Sequence, residues 1–174
     1  VGALSPVHKV VIVGHGAEQV KDVLGSKGIK YALQKKRLGT GHAAACASEV
    51  LKNFKGNILI INGDFPLITS KSLKKFKSAH EKSGSGISVL TASVEDASGY
   101  GRIVRGEGGV FERIVEHKDA TSEEKKVDEI NSGTFLLRSE LLWPLLKSLK
   151  TKNKQGEYYL TDIIEIARRK GHSV

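Results

Sequence analysis

Long apolar runs alternate with helix-spaced segments through the first half of this chain. That alternation constrains its fold more than any single motif. "HKVVIVGHG" (residues 8–16) is a continuous apolar run ending in glycines, the pattern of a strand buried on both faces. "AEQVKDVLGSKG" then places Val20, Val23 and Leu24 on one helical face, with Gly25 or Gly28 as the stop. "IKYALQ" (29–34) reads as a strand, about 40–53 as a helix and "NILIINGD" (57–64) as a second apolar strand. "TSKSLKKFKSAHEKSG" reads as an amphipathic helix with Leu73, Phe76 and His80 inward, capped by Thr69 or Ser70. "GISVLTASV" is another strand. Short connections in this order imply βαβ units: an α/β fold with a mainly parallel, mixed sheet flanked by helices. Ligands of such sheets bind beyond the carboxyl ends of the strands, where residues 14–16, 38–41 and 63–64 fall.

The pattern then changes. "GRIVRGEGGVFERIVEH" (101–117) alternates and turns at 106–109, a β-hairpin insertion. "DEINSGTFLLRS" reads as a strand, "DATSEEKK" as a solvated turn, and 139–149 and 158–170 as closing helices. At 174 residues and 39% apolar, the chain can bury one core. No apolar run reaches the roughly 18 residues that would cross a bilayer, and no leader pattern opens the chain. A lone cysteine, Cys46, excludes an internal disulfide and a cysteine zinc site, and fits a reducing cytoplasm. The net charge of +9 suits either anionic partners or a solvated lysine surface. Aromatics are few and not interleaved with the lysines, which argues against a nucleic-acid platform. With no methionine and Val1 in front, the chain is expected to be a piece of a longer protein.

The candidate chemistry sits in loops. "GHGAEQ" fails the dinucleotide fingerprint because Gln19 stands where the third glycine belongs, which leaves tight-turn glycines. In "RLGTGHA", glycines flank Thr40 ahead of a small-residue helix. Either the backbone turns and packs closely there, or a ligand approaches it, with helix N–H groups to receive phosphate. Asp64, at the end of an apolar strand, could hold Mg²⁺ beside phosphates or cap a turn. The histidines form no ligand set, and His42 and His117 read as packed or hydrogen-bonded. No nucleophile has a base nearby in sequence, so a covalent intermediate is not called for.

Together, "LQKKRLGTGHA", "NGDFPLIT", "GYGRIVR", "IVEHKDAT", "EINSGTF" and "QGEYYLTDII" resemble, in order and spacing, the uridyltransferase half of the bacterial bifunctional N-acetylglucosamine-1-phosphate uridyltransferases/glucosamine-1-phosphate acetyltransferases. The resemblance runs from about Lys9 to the C-terminus. It implies the Rossmann-like nucleotide-diphospho-sugar transferase fold. It implies transfer of UMP from UTP to N-acetylglucosamine 1-phosphate, giving UDP-N-acetylglucosamine, a cell-wall precursor, and pyrophosphate. Gln34, Gly39, Thr40, Asn62, Gly63 and Asp64 would bind the nucleotide. Gly101, Glu116, Asn131 and Thr161 would bind the sugar, and Asp64 would carry Mg²⁺. Asn62 replaces the family's tyrosine, and Arg37 stands where many relatives have glutamine. The family's first strand, its glycine-rich triphosphate loop, a second metal-binding asparagine and the trimer-forming acetyltransferase domain have no counterpart here. Residues 1–174 are therefore expected to be a partial domain, inactive alone, with a gap in the sheet. The open alternatives are a sugar-1-phosphate nucleotidyltransferase with another base or sugar, and a non-catalytic relative.

Overall fold

The computed structural model describes residues 2–65 and 67–174. A βαβ unit opens it: β1 (Val10–Val13), α1 (Ala17–Leu24) and β2 (Lys30–Leu33). The strands pair in parallel, Val10 opposite Lys30 and Val13 opposite Leu33. Gly16, at φ +72°, turns the chain into α1, as the tight-turn reading required. Burial falls short of the pattern: of the two strands only Val13 and Ala32 are buried. On α1, Val20, Val23 and Leu24 are 37%, 85% and 48% exposed, so the expected inward face is open. Spacing decides which side chains share a face, but a neighbouring element decides whether it is covered.

α2 (Thr40–Cys46) ends well short of residue 53. Ala47 N–H donates to Ala44 O (3.1 Å) and Ser48 N–H to Ala45 O (3.0 Å), so the helix tightens to i→i−3 bonds and continues as turns. β3 (Asn57–Ile60), α3 (Ser70–Ser83), β4 (Ile87–Ser93), the hairpin β5 (Arg102–Arg105)–β6 (Phe111–Val115), β7 (Glu129–Arg138), α4 (Ser139–Lys147) and α5 (Asp162–Arg169) follow. Thr69 caps α3, its Oγ1 accepting from Ser72 N–H (3.1 Å).

β3, β4, β5, β6 and β7 form a second, five-stranded sheet. β3 and β4 both pair antiparallel with the same stretch of β7, Ile58 and Ile87 each lying opposite Leu137. They therefore flank β7 and run parallel to each other without touching. The mixed sheet flanked by helices is present, but among the described residues direct parallel pairing between strands is confined to β1–β2. A crossover helix sets strand direction and leaves adjacency open. β7, buried continuously from Ser132 to Leu137, takes the central place.

Phe135 and Leu137 on one face of β7 pack with Ile87, Ile103 and Ile114 against Leu142 and Leu145 of α4 and Ile163 and Ile164 of α5. Burying each large side chain contributes about 1.5–3 kcal/mol. α3 buries Leu73, Phe76 and His80, whose Nδ1 lies 2.8 Å from Ser88 Oγ. The turn at 119–126 is more than a solvated loop. Glu124 accepts from Thr121 N–H (2.8 Å), Thr121 Oγ1 (2.9 Å) and Arg113, and these partners pull its carboxyl down to about 2. Among the described residues no helix is long and apolar enough to cross a membrane.

Candidate functional site

The loop that leaves β2 is held by the chain itself. Gln34 N–H donates to Val13 O (2.8 Å), setting the ends of the two parallel strands side by side. Beyond them lies an open cavity of about 470 Å³ lined by Gly14, His15, Leu33, Gln34, Lys35 and Arg37. At Gly39 the backbone takes φ +104° and ψ 175°, a region essentially reserved for glycine. A Cβ there would stand 2.6 Å from Tyr158 O and 2.9 Å from Glu157 Cβ. A Cβ on Gly41 would run into Leu149 Cδ1 and stand 3.0 Å from Tyr158 O. Gly41 N–H donates to Tyr158 O, and Tyr158 N–H to Leu38 O, both 2.8 Å. What comes close to these glycines is the segment before α5. Of the two alternatives left by the sequence, backbone packing accounts for them without a ligand, and the Gly41 N–H is already engaged.

The same segment links the loop to the rest of the site. Leu160 N–H donates to Thr40 Oγ1 (3.0 Å). The next residue, Thr161, is buried and donates its hydroxyl to Glu116 Oε1 (2.8 Å). The other Glu116 oxygen faces Gly101, 3.4 Å from where a Cβ would sit. Gly101 O accepts from Asn131 N–H (2.9 Å). Asn131 Oδ1 accepts from Gly133 N–H (3.0 Å), and among the described residues the Asn131 amide nitrogen has no hydrogen-bond partner. Gly133, at φ +74°, lies beneath the side chain of Asn62, which occupies the space a Cβ would need. Thus Thr40, Thr161, Glu116, Gly101 and Asn131 form one connected run of contacts, and Asn62 joins its far end through Gly133. Gly63 and Asp64 follow β3 in an exposed turn, and Gly63 has open space at its Cβ position. Among the described residues no hydrogen bond or ion pair engages the Asp64 carboxylate, and no cluster of three or more acidic, histidine or cysteine side chains could hold a metal.

The run is acidic underneath. Burial pushes the Glu116 carboxyl up; the Thr161 hydroxyl opposes this, and Asp119 adds to it. Asp162 is raised to about 6, chiefly by burial and then by Glu165, Glu116 and Asp119. Tyr159 donates to Asp119 Oδ2 (3.1 Å), and burial lifts its phenol to about 12. Lys154 N–H donates to Asp119 Oδ1 (2.9 Å), tying the loop after β6 to the segment before α5. Reading the sequence did not single out Asp119, Tyr159 or Asp162, although "HKDAT" and "YYLTD" contain them. Nor did it mark Arg102, which is 2% exposed, donates to Tyr100 O beside Gly101, and has no partner at Nε among the described residues. An arginine in a short alternating run reads as a surface residue until the strands on both sides are known.

The family model described as nucleotidyl transferase matches residues 5–174. A bifunctional protein GlmU from Exiguobacterium sibiricum is 52% identical over 171 residues, which cover 98% of this chain and 38% of that protein. A bifunctional protein GlmU from Enterococcus faecalis is 50% identical, over 97% of this chain and 37% of its own. The chain thus spans less than two fifths of the length of these curated relatives. Among solved structures, a UDP-glucose pyrophosphorylase complexed with UDP-glucose aligns with a TM-score of 0.71 at 20% identity, covering 95% of this chain and 71% of that one. A putative glucose-1-phosphate thymidylyltransferase from Bacillus anthracis aligns at 0.72 and 24%, covering 94% and 64%. At those identities the two structures establish the fold alone.

Proposed function

Because this chain belongs to the nucleotidyl transferase family, we propose that it forms most of the site at which UTP and N-acetylglucosamine 1-phosphate give UDP-N-acetylglucosamine and pyrophosphate. The observation that carries this is the connected run from Thr40 through Thr161 and Glu116 to Gly101 and Asn131. It joins residues assigned to a nucleotide with residues assigned to a sugar. Gln34, Gly39 and Thr40 face the base, and Asn62, Gly63 and Asp64 the phosphates. Glu116 Oε2 accepts from a sugar hydroxyl, and the free Asn131 amide donates to the acetamido carbonyl. Arg37, Lys35 and His15 border the cavity, and the Arg37 and Lys35 charges offset those of the phosphates.

The sugar-phosphate oxygen attacks the α-phosphorus in line, forming a new P–O bond as the bond to pyrophosphate breaks. Positioning and charge neutralisation do most of the work in such transfers. Asp64 would hold Mg²⁺ through its carboxylate, which no hydrogen bond or ion pair engages among the described residues, and the ion would supply charge neutralisation at the phosphates.

Residues 1–174 are read as part of a nucleotidyltransferase domain. Support comes from the two separate sheets: among the described residues β1 pairs with β2 alone and β3 with β7 alone. In the domain that the resemblance implies, a further strand would join the two sheets and carry a triphosphate-binding loop. A further domain is part of the same proposal, supported by the relatives' greater length and the word bifunctional in their name; the cytoplasm, a cell-envelope pathway and a homotrimer rest on the resemblance alone.

Calorimetric titration with UDP-N-acetylglucosamine and Mg²⁺ tests it. Binding that weakens at least tenfold in Asn131→Ala, in a variant with an unchanged melt, supports the reading. A folded chain that does not bind, or binds equally well in the variant, overturns it.

A further inference from the structure

Gln34 Nε2 lies 3.1 Å from Gly39 O and 3.0 Å from His42 Nδ1. A backbone carbonyl can only accept, so the Gln34 atom facing Gly39 is the amide nitrogen. That nitrogen has no lone pair to offer, so His42 Nδ1 must also accept from it. The imidazole is therefore neutral and carries its proton on Nε2. Both donors of Gln34 are then spent inside the loop. Its Oε1 has no hydrogen-bond partner among the described residues, and it is the remaining polar atom that Gln34 can offer to the cavity.

We infer that His42 is a positioning residue: its Nδ1 holds the Gln34 amide in the orientation that presents Oε1 to the nucleotide base. An acceptor at that point favours a base with an N–H on the facing edge, an imide such as uracil or thymine. It disfavours cytosine, whose ring nitrogen there carries a lone pair. This rests on the proposed nucleotide role of Gln34 and extends it to a residue that touches no ligand. Rotating the amide by half a turn would set Oε1 against Gly39 O, an acceptor–acceptor contact, and against His42 Nδ1 as well unless the imidazole proton moved from Nε2 to Nδ1. With His42 gone, one restraint remains, and selectivity falls by roughly what one neutral hydrogen bond supplies, 3- to 10-fold.

Two measurements on the full chain test this separately. The first is the histidine ring ¹⁵N–¹H correlation spectrum at neutral pH, with His42 assigned by its loss in His42→Ala. The Nε2–H tautomer is expected. An Nδ1–H tautomer or an imidazolium overturns the inference whatever the chain binds. The second is the ratio of dissociation constants for CDP and UDP. It should exceed one in the wild type and fall about 3- to 10-fold in His42→Ala. It should recover in His42→Asn, whose Oδ1 can accept where Nδ1 did. An unchanged ratio in His42→Ala, with an unchanged urea midpoint, sinks the positioning role. If the wild-type chain binds neither nucleotide, the nucleotide reading and the selectivity fall together, while the tautomer still decides whether His42 holds Gln34.

Discussion

Gly39→Ala asks directly whether a ligand or the protein demands the bare loop before α2. The native φ of +104° with ψ 175° costs a non-glycine residue about 1–3 kcal/mol. The added methyl would sit 2.6 Å from Tyr158 O and 2.9 Å from Glu157 Cβ, the first a backbone atom that moves only with its segment. Overpacking of that kind costs about 1–3 kcal/mol. Stiffening the unfolded chain gives back about 0.4–1 kcal/mol. The net loss is about 2–5 kcal/mol, a large part of the 5–15 kcal/mol that stabilises an ordinary domain. Urea unfolding followed by Trp143 fluorescence reads it. With a slope of about 2 kcal/mol per M, the midpoint should fall by about 1–2.5 M. If the loop peels away locally instead, the Gly41 and Tyr158 amides, now bonded at 2.8 Å, exchange faster while the midpoint holds. A midpoint within about 0.3 M of wild type, with both amides equally protected, refutes the packing argument. If that variant also loses nucleotide binding, the bare position serves the base that Gly39 faces and not the packing.

Gly63→Ala is the complementary case. Its Cβ position is open, so stability should change by less than about 0.5 kcal/mol. Any loss of UDP-N-acetylglucosamine affinity, read by calorimetry, then reports on the site and not the fold. Asp162, raised to about 6 from 3.8, binds a proton more tightly folded than unfolded, so its contribution declines as pH rises from about 4 through 6. Asp162→Asn should therefore stabilise by about 1 kcal/mol above pH 6, after allowance for solvent screening, and show no gain at pH 4 in paired urea titrations. Glu124 has the opposite sign. Held near 2 against an ordinary 4.5, it stabilises above pH 4.5 and loses that effect as pH falls toward 2. Glu124→Gln should cost about 1 kcal/mol at pH 7, with the gap from wild type narrowing steadily below pH 4.5. A gap that stays constant down to pH 3 would refute the Arg113–Thr121 account.

Much of the local structure was legible because it depends on neighbours in the chain. The apolar run before Gly14, the cap at Thr69, the hairpin turning at 106–109 and the inward set Leu73, Phe76 and His80 all follow from period and turn chemistry. The residues of the candidate site were legible as motifs, each in its own loop. Other features depended on distant partners. That β7 divides β3 from β4 follows from strand adjacency, which no local pattern encodes. That α1 leaves Val20, Val23 and Leu24 uncovered depends on what packs above it. The glycines of the loop read equally well as a ligand cradle or a packing contact until Tyr158, more than a hundred residues later, was seen against them. Gln34 and His42 are close in sequence, yet which atom of the amide faces inward was settled by the carbonyl of Gly39. The sequence by itself determined which segments become strands, helices and turns, because those are energies of near neighbours. Only the tertiary structure decided which of them touch, because contact between distant segments is set by shape and burial summed over the whole molecule.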